Sequence, residues 1–106
     1  MIKLSDITVN TSSLDSGLYQ TNIDFSDFSP LEENDFFQID VDDVFVKLRL
    51  ISNMTSNVFV EWLTTNLNSN PDFYIIATAS SNGNILNITS KNRDKLNINY
   101  DFSREL

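Results

Sequence analysis

A period-two pattern of aliphatic residues runs through one stretch of this chain, Val44-Phe45-Val46-Lys47-Leu48-Arg49-Leu50-Ile51. The four even-numbered residues are aliphatic, whereas Lys47 and Arg49 stand at odd-numbered positions. Successive side chains of a β-strand point to opposite faces, so this pattern places one apolar face against a core. The stretch therefore predicts a β-strand and a fold that is built from sheets.

A hairpin and a further strand are predicted downstream of this stretch. Residues 73–79 and 85–89 flank Asn82-Gly83, a dipeptide that suits a two-residue type I′ turn. That turn pairs residue 79 with 86 and residue 77 with 88, which gathers the apolar residues of both strands on one face. Residues 95–102 alternate in the same way. We therefore expect a three-stranded meander in the C-terminal third.

Shorter strands over residues 2–9, 18–25 and 36–41 complete the predicted fold. About seven strands at this spacing are typical of all-β proteins, so we expect a single domain over residues 1–106 that is a small antiparallel β-sandwich or flattened barrel. The alternative is an α+β fold with one helix near residues 56–68, although β-branched and aromatic residues at positions 58–62 favour a strand there. The predicted core comprises Leu48, Leu50, Ile75, Ile88 and Ile98.

Composition argues against an enzyme. The chain has no His, no Cys and only two Gly. It therefore lacks the usual general base at neutral pH, a thiol nucleophile and the glycine-rich loops that bind phosphate. We expect no catalytic residue, no cofactor and no metal site.

Net charge and hydropathy restrict the expected partners. The formal net charge is -8, and an acidic surface repels nucleic acid and anionic lipid. Apolar runs are too short to span a membrane, and the visible chain shows no signal-peptide pattern. We expect a protein partner or copies of the chain itself, with no direct contact to nucleic acid or membrane. A virion and the cytoplasm both fit as locations.

One segment carries all of the excess negative charge. Eight carboxylates and no Lys or Arg fall between residues 24 and 43, namely Asp24, Asp27, Glu32, Glu33, Asp35, Asp40, Asp42 and Asp43. Buried unpaired carboxylates cost several kcal/mol each, so these residues predict an exposed patch on one side of the molecule. The segment contains no EF-hand pattern. A solvated edge or a surface for a basic partner fits it better than a calcium site.

An apolar face is the second candidate for a partner-binding surface. If residues 44–51 and 58–65 form a hairpin, one face of that hairpin carries Phe45, Arg49, Val60 and Trp62. Trp and Arg are enriched among the residues that dominate binding energy at protein interfaces. We therefore expect this face to contact a partner or to be covered by the rest of the fold.

Three functions are compatible with these features. The leading hypothesis is a non-enzymatic structural or interaction protein that forms a small component of a larger assembly, such as a viral or phage particle. The first alternative is an acidic inhibitor that imitates nucleic acid and blocks the basic groove of a nucleic-acid enzyme. The second alternative is a calcium-dependent or sugar-binding module.

Overall fold

A computed structural model describes the backbone of residues 2–3, 8–13, 17–25, 32–91 and 95–104, and the side chains of residues 17–25, 32–91 and 95–101. The strands are β1 (Ile2–Lys3), β2 (Thr8–Ser13), β3 (Tyr19–Asp24), β4 (Phe36–Val41), β5 (Val44–Arg49), β6 (Ala77–Asn82), β7 (Ile85–Ser90) and β8 (Ile98–Arg104). The helices are α1 (Ser56–Asn68) and α2 (Pro71–Ile76). The fold is mostly β, and the all-β prediction is wrong for these two helical segments.

The described strands form two small antiparallel sheets. Sheet A has the order β1-β8-β4-β5, and sheet B has the order β2-β3-β7-β6. The bounds of β4 match the predicted strand over residues 36–41, and a two-residue turn joins β4 to β5. Phe37, Ile39 and Val46 point into the core from this hairpin. The sequence therefore predicted both strands, and alternation predicted the inner face of β5.

Helix α1 replaces the strand that was expected near residue 60. Phe59, Leu63 and Leu67 recur every four residues and are fully buried, which is the spacing of a helical stripe. The Thr64 hydroxyl donates to the carbonyl of Val60, four residues earlier, so its polar group is satisfied within the helix. The alternative of a helix near residues 56–68 is thus confirmed. The strand prediction is wrong because burial of this stripe outweighs a weak β-propensity.

Helix α2 begins where the sequence suggested only a loop. The Asn70 side chain accepts hydrogen bonds from the backbone N–H groups of Asp72 and Phe73 at 3.0 and 3.1 Å, and Pro71 is the first helical residue. Asn before a helix and Pro at its first position are both favoured starts. Residues 73–76 are therefore helical and not part of a strand. As a consequence Ile75 is 72% exposed, and its predicted place in the core is wrong.

One hydrophobic core joins both sheets and α1. At its centre Phe25, Phe37 and Phe59 form a triangle with ring centroids 5.3 to 6.0 Å apart. All three pairs meet edge to face, the geometry that aromatic quadrupoles favour. The triangle connects the end of β3, the strand β4 and the helix α1, so it holds the two sheets and the helix together.

Four of the five predicted core residues contact this core. Leu50 and Ile88 are fully buried. Leu48 and Ile98 are partly buried and pack against the buried cluster. Alternation was sufficient to identify them, because each follows the inner face of its strand.

Strands β7 and β8 lie in different sheets, so the predicted meander is wrong. β7 pairs with β3 and β6, whereas β8 pairs with β1 and β4. Ile98 lies opposite Val41, and Tyr100 lies opposite Ile39. The apolar alternation of β8 fits the inner face of β4 as well as it would fit β7. Pairing with β8 also completes sheet A, since an isolated two-stranded hairpin is only marginally stable.

The turn between β6 and β7 consists of Gly83 and Asn84. Asn82 lies opposite Ile85, so the turn is shifted by one residue from the predicted Asn82-Gly83 while the predicted faces are kept. Gly83 has a φ of 60°, and Asn84 has no positive φ. Positive φ at the first central residue alone is the pattern of a type II′ turn, which favours Gly at that position. Positive φ at Gly83 is confirmed, whereas the type I′ assignment is wrong.

We expect Gly83→Val to lower the free energy of unfolding by about 1–2 kcal/mol, because a β-branched L-residue disfavours this φ. A Cβ atom at Gly83 would meet no atom within 4 Å, so the cost is backbone strain rather than a clash. Gly83→Asn is the matched control and should cost less, since Asn tolerates positive φ. Urea unfolding followed by circular dichroism measures both variants. Unchanged stability of Gly83→Val would contradict the turn assignment.

Candidate functional site

The β4–β5 hairpin presents one face to solvent. This face consists of three cross-strand pairs, Phe36–Arg49, Gln38–Lys47 and Asp40–Phe45, which we call the hairpin face. The members from β5 are exposed and those from β4 are partly buried. Phe45 is 68% exposed. An aromatic ring this accessible therefore lies on a face that also carries two exposed bases and a carboxylate.

Polar contacts hold the side chains around the Phe45 ring. Lys47 Nζ lies 5.2 Å from the centroid of the Phe36 ring, within the range of a cation–π interaction. Gln38 Nε2 donates to Asp40 Oδ1 at 3.0 Å. These contacts restrict the rotamers of the side chains next to Phe45 on this face.

Arg49 is held by the loop that precedes β4. Its Nε and Nη2 atoms donate to Asn34 Oδ1 at 2.9 and 2.5 Å. Asn34 has a φ of 74°, in the left-handed region that Asn adopts more readily than most residues. The backbone N–H of Asn34 donates to the carbonyl of Leu50 at 2.8 Å. The backbone bond to Leu50 thus holds Asn34 in place, and the Asn34 side chain in turn positions the Arg49 guanidinium.

The seven acids of residues 24–43 that the structure describes do not form one continuous patch. One group precedes β4, and a second group follows it in the turn to β5. A strand of six residues extends about 20 Å, more than twice the Debye length of about 8 Å at physiological ionic strength. The first group is Glu32, Glu33 and Asp35, and the second is Asp42 and Asp43. At this distance the electrostatic interaction between the two groups is largely screened.

Exposure also differs among these acids. Glu32, Glu33, Asp42 and Asp43 are exposed, whereas Asp24 in sheet B and Asp40 in sheet A are partly buried. Asp35 is only 1% exposed, so its predicted place in an exposed patch is wrong. Asp27 lies outside the described residues. Proximity along the chain therefore did not give a common environment.

Asp35 anchors the loop before β4. Its Oδ2 accepts a hydrogen bond from the backbone N–H of Glu32 at 2.9 Å, and its own N–H donates to the Glu32 carbonyl at 3.1 Å. Its carbonyl accepts from the N–H of Leu50 at 2.8 Å. A buried carboxylate is tolerated where backbone donors satisfy it. Asp35 thus supports the loop that holds Arg49.

Asp42 has a similar structural role in the β4–β5 turn. It has a φ of 53°, a conformation that Asp adopts more readily than most residues. Its Oδ1 accepts from the backbone N–H of Asn97 at 2.8 Å, and its own N–H donates to the Asn97 carbonyl at 2.8 Å. These reciprocal bonds tie the turn to the segment before β8. Charge reversal at Asp42 would therefore disturb the fold as well as the surface.

Val60 and Trp62 lie on α1, apart from the strand face that was predicted to contain them. Val60 is fully buried, and Trp62 is partly buried with its ring centroid 5.9 Å from that of Phe59. Phe45 and Arg49 remain together on the hairpin face. Phe36 was not predicted as their neighbour, although a two-residue turn at residues 42–43 places residue 36 opposite residue 49.

No protein-family model matches this chain, and no curated protein matches it significantly. Among the described helices, none is long and apolar enough to cross a membrane. Within the part of the chain that the structure describes, no group of three or more His, Cys, Asp or Glu residues is placed to hold a metal ion.

Proposed function

We propose that this chain is a non-enzymatic interaction protein, a small component of a larger assembly, that binds a protein partner through the hairpin face. The observation that carries the proposal is the 68% exposure of Phe45 on the face that also carries Lys47 and Arg49. Complete burial of a Phe side chain contributes about 1.5–3 kcal/mol. A partner that covers this ring therefore gains a substantial part of its affinity from one residue.

Electrostatics favour the hairpin face over the rest of the surface as a contact region. The chain has 7 Lys and Arg against 15 Asp and Glu, and Lys47 and Arg49 place two of those bases on one face. A partner segment with an apolar side chain and one or two carboxylates would match this composition. Complementary charge of this kind mainly raises the association rate, while the apolar contact supplies the affinity.

The alternatives receive less support from the described residues. A mimic of nucleic acid needs carboxylates in a row where phosphates would lie, but Asp35 is buried and Asp42 is engaged with Asn97. A calcium-dependent module needs several carboxylate oxygens around one point, and the described residues place no group of three or more acids in this way. The absence of His and Cys supports a role without catalysis.

Affinity capture from the native source, compared across surface variants, tests the proposal. We expect Phe45→Ala to weaken binding of the captured partner at least tenfold, which corresponds to about 1.4 kcal/mol. Ile75→Ala is the matched control, because Ile75 is a similarly exposed apolar residue on α2, and it should bind as the wild type does. Purified partner and isothermal titration calorimetry give the dissociation constants.

Salt and a charge variant separate the competing explanations. Binding through an apolar contact should persist at high salt, whereas binding through surface carboxylates should be released. Glu33→Lys changes an exposed acid outside the hairpin face. Loss of the partner with Glu33→Lys, together with retention by Phe45→Ala, would contradict the proposal and favour an acidic binding surface.

A further inference from the structure

The outer edge of β5 carries backbone groups that no described residue satisfies. Beyond its end, the Leu50 N–H donates to the Asp35 carbonyl, and the Leu50 carbonyl accepts from the Asn34 N–H, both at 2.8 Å. Backbone groups alternate in direction along an edge strand. The even-numbered residues of β5 therefore bond toward β4, and Phe45, Lys47 and Arg49 direct their N–H and C=O groups outward.

The outer edge of β6 differs from that of β5, because other parts of the chain satisfy its backbone groups. On β6, the edge strand of sheet B, the Asn68 side chain donates to the Ala79 carbonyl at 2.8 Å and accepts from the Ala79 N–H at 2.9 Å. The Ala77 N–H donates to the carbonyl of Phe73. Helices thus close the edge of β6. No described element covers β5 in this way, and an open edge is a template for another strand.

We propose that β5 pairs antiparallel with β5 of a second copy of this chain, in the register that sets Arg49 opposite Asp43 and Phe45 opposite Lys47. This inference rests on the proposed function and deepens it, because it names a second copy as the partner and sets the Lys47 of that copy opposite Phe45, at the border of the hairpin face. Only registers that pair odd-numbered residues bring outward N–H and C=O groups together. Symmetry then makes every contact occur twice, as in most homodimers.

Charge selects among the admissible registers. A shift of one step places Lys47 opposite Lys47 of the second copy, and like charges directly opposite are destabilising. A shift the other way shortens the overlap of the two strands. The proposed register forms two Asp43–Arg49 pairs of opposite charge and brings each Lys47 to an exposed Phe45 ring.

The position of positive charge on β5 also favours this edge for self-association. Each copy carries a formal charge of -8, so two copies repel each other over most of their surfaces. Lys47 and Arg49 lie on β5 itself, and both are exposed. The hairpin face is therefore a place where two copies can approach with opposite charges in contact.

Charge exchange across the interface tests the register. Sedimentation equilibrium of the full chain should show a dimer, and Asp43→Arg or Arg49→Asp alone should raise its dissociation constant at least tenfold. An equimolar mixture of the two single variants should form a heterodimer, because one chain then carries Arg at both positions and the other carries Asp at both. Both 43–49 pairs of the mixed dimer therefore join opposite charges. The double variant Asp43→Arg/Arg49→Asp should dimerise as the wild type does.

Amide hydrogen exchange provides a second measurement that does not depend on the Arg49 variant. Arg49→Asp also removes the contact to Asn34 and with it some stability of the fold, whereas Asp43 is an exposed turn residue. In the wild type, protection at Phe45, Lys47 and Arg49 should rise with protein concentration and should be lost with Asp43→Arg. A monomer at every concentration, or a dimer that Asp43→Arg leaves intact, would overturn the inference. A monomer that still binds a different protein in a Phe45-dependent manner would overturn it and leave the proposed function standing.

Discussion

Phe59→Ala is expected to lower the free energy of unfolding by about 3–5 kcal/mol, the largest effect of any single substitution considered for this chain. Phe59 is fully buried, and its ring lies 5.3 Å from Phe25 and 5.4 Å from Phe37. Truncation removes contacts to β3, β4 and the neighbouring Trp62 at once, and leaves a cavity where the two sheets meet α1. Cavities at such junctions collapse poorly, because several elements would have to move together.

Urea unfolding followed by the fluorescence of Trp62, the single Trp of the chain, measures this effect. Phe45→Ala is the matched control: it removes the same atoms from a ring that is 68% exposed and should cost less than about 1 kcal/mol. If Phe59→Ala does not fold, Phe59→Leu should fold with a smaller loss. Equal losses for the two Phe→Ala variants would contradict the central position of Phe59.

Asn68→Ala is expected to cost about 2–3 kcal/mol, because it leaves the N–H and the C=O of Ala79 without partners. Ala79 is buried, and in the described structure the Asn68 side chain satisfies both groups at 2.9 and 2.8 Å. This side chain therefore takes the place of a neighbouring strand at the edge of sheet B. Its loss should also expose that edge to pairing with other chains.

Asn66→Ala is the matched control on the same helix. The Asn66 side chain donates to the carbonyl of Trp62 within α1, so both variants gain the same helix propensity while only Asn68→Ala opens the sheet edge. We expect Asn66→Ala to change the free energy of unfolding by less than about 1 kcal/mol. Aggregation of Asn68→Ala, followed by light scattering, should exceed that of Asn66→Ala. Similar stability of the two variants would show that Asn68 does not close the edge.

Local patterns in the sequence were most reliable where a single strand determines them. The alternation of residues 44–51 predicted β5 and its inner face, and residues 36–41 were predicted as the strand that matches β4. Phe45 and Arg49 were predicted to share one face of β5, and both are exposed in the structure. The residue pair Asn82-Gly83 predicted a tight turn with positive φ at Gly83, although the turn itself is shifted by one residue. These features depend on side-chain direction and φ preference within a few residues, so they survive in any tertiary arrangement.

Two signals for helices were present in the sequence, although a strand was predicted at the first place and a loop followed by a strand at the second. Phe59, Leu63 and Leu67 recur every four residues, and Asn70-Pro71 is a favoured helix start. The β-branched and aromatic residues among positions 58–62 favoured a strand on propensity alone. Burial against β6 and β7 decided for the helix, because propensity contributes tenths of a kcal/mol per residue where burial of a side chain contributes about 1.5–3 kcal/mol.

The sequence by itself determined which residues face inward along the strands from β5 to β8, that Gly83 adopts positive φ, and how much negative charge the chain carries. Tertiary structure decided which strands pair, since the alternation of β8 fits the inner face of either β4 or β7. It also decided that the clustered acids are separated, because the extended strand β4 converts neighbours in sequence into groups about 20 Å apart. The physical reason is common to both cases: a local pattern sets the direction of each side chain, whereas its neighbours are set by the burial summed over the whole core.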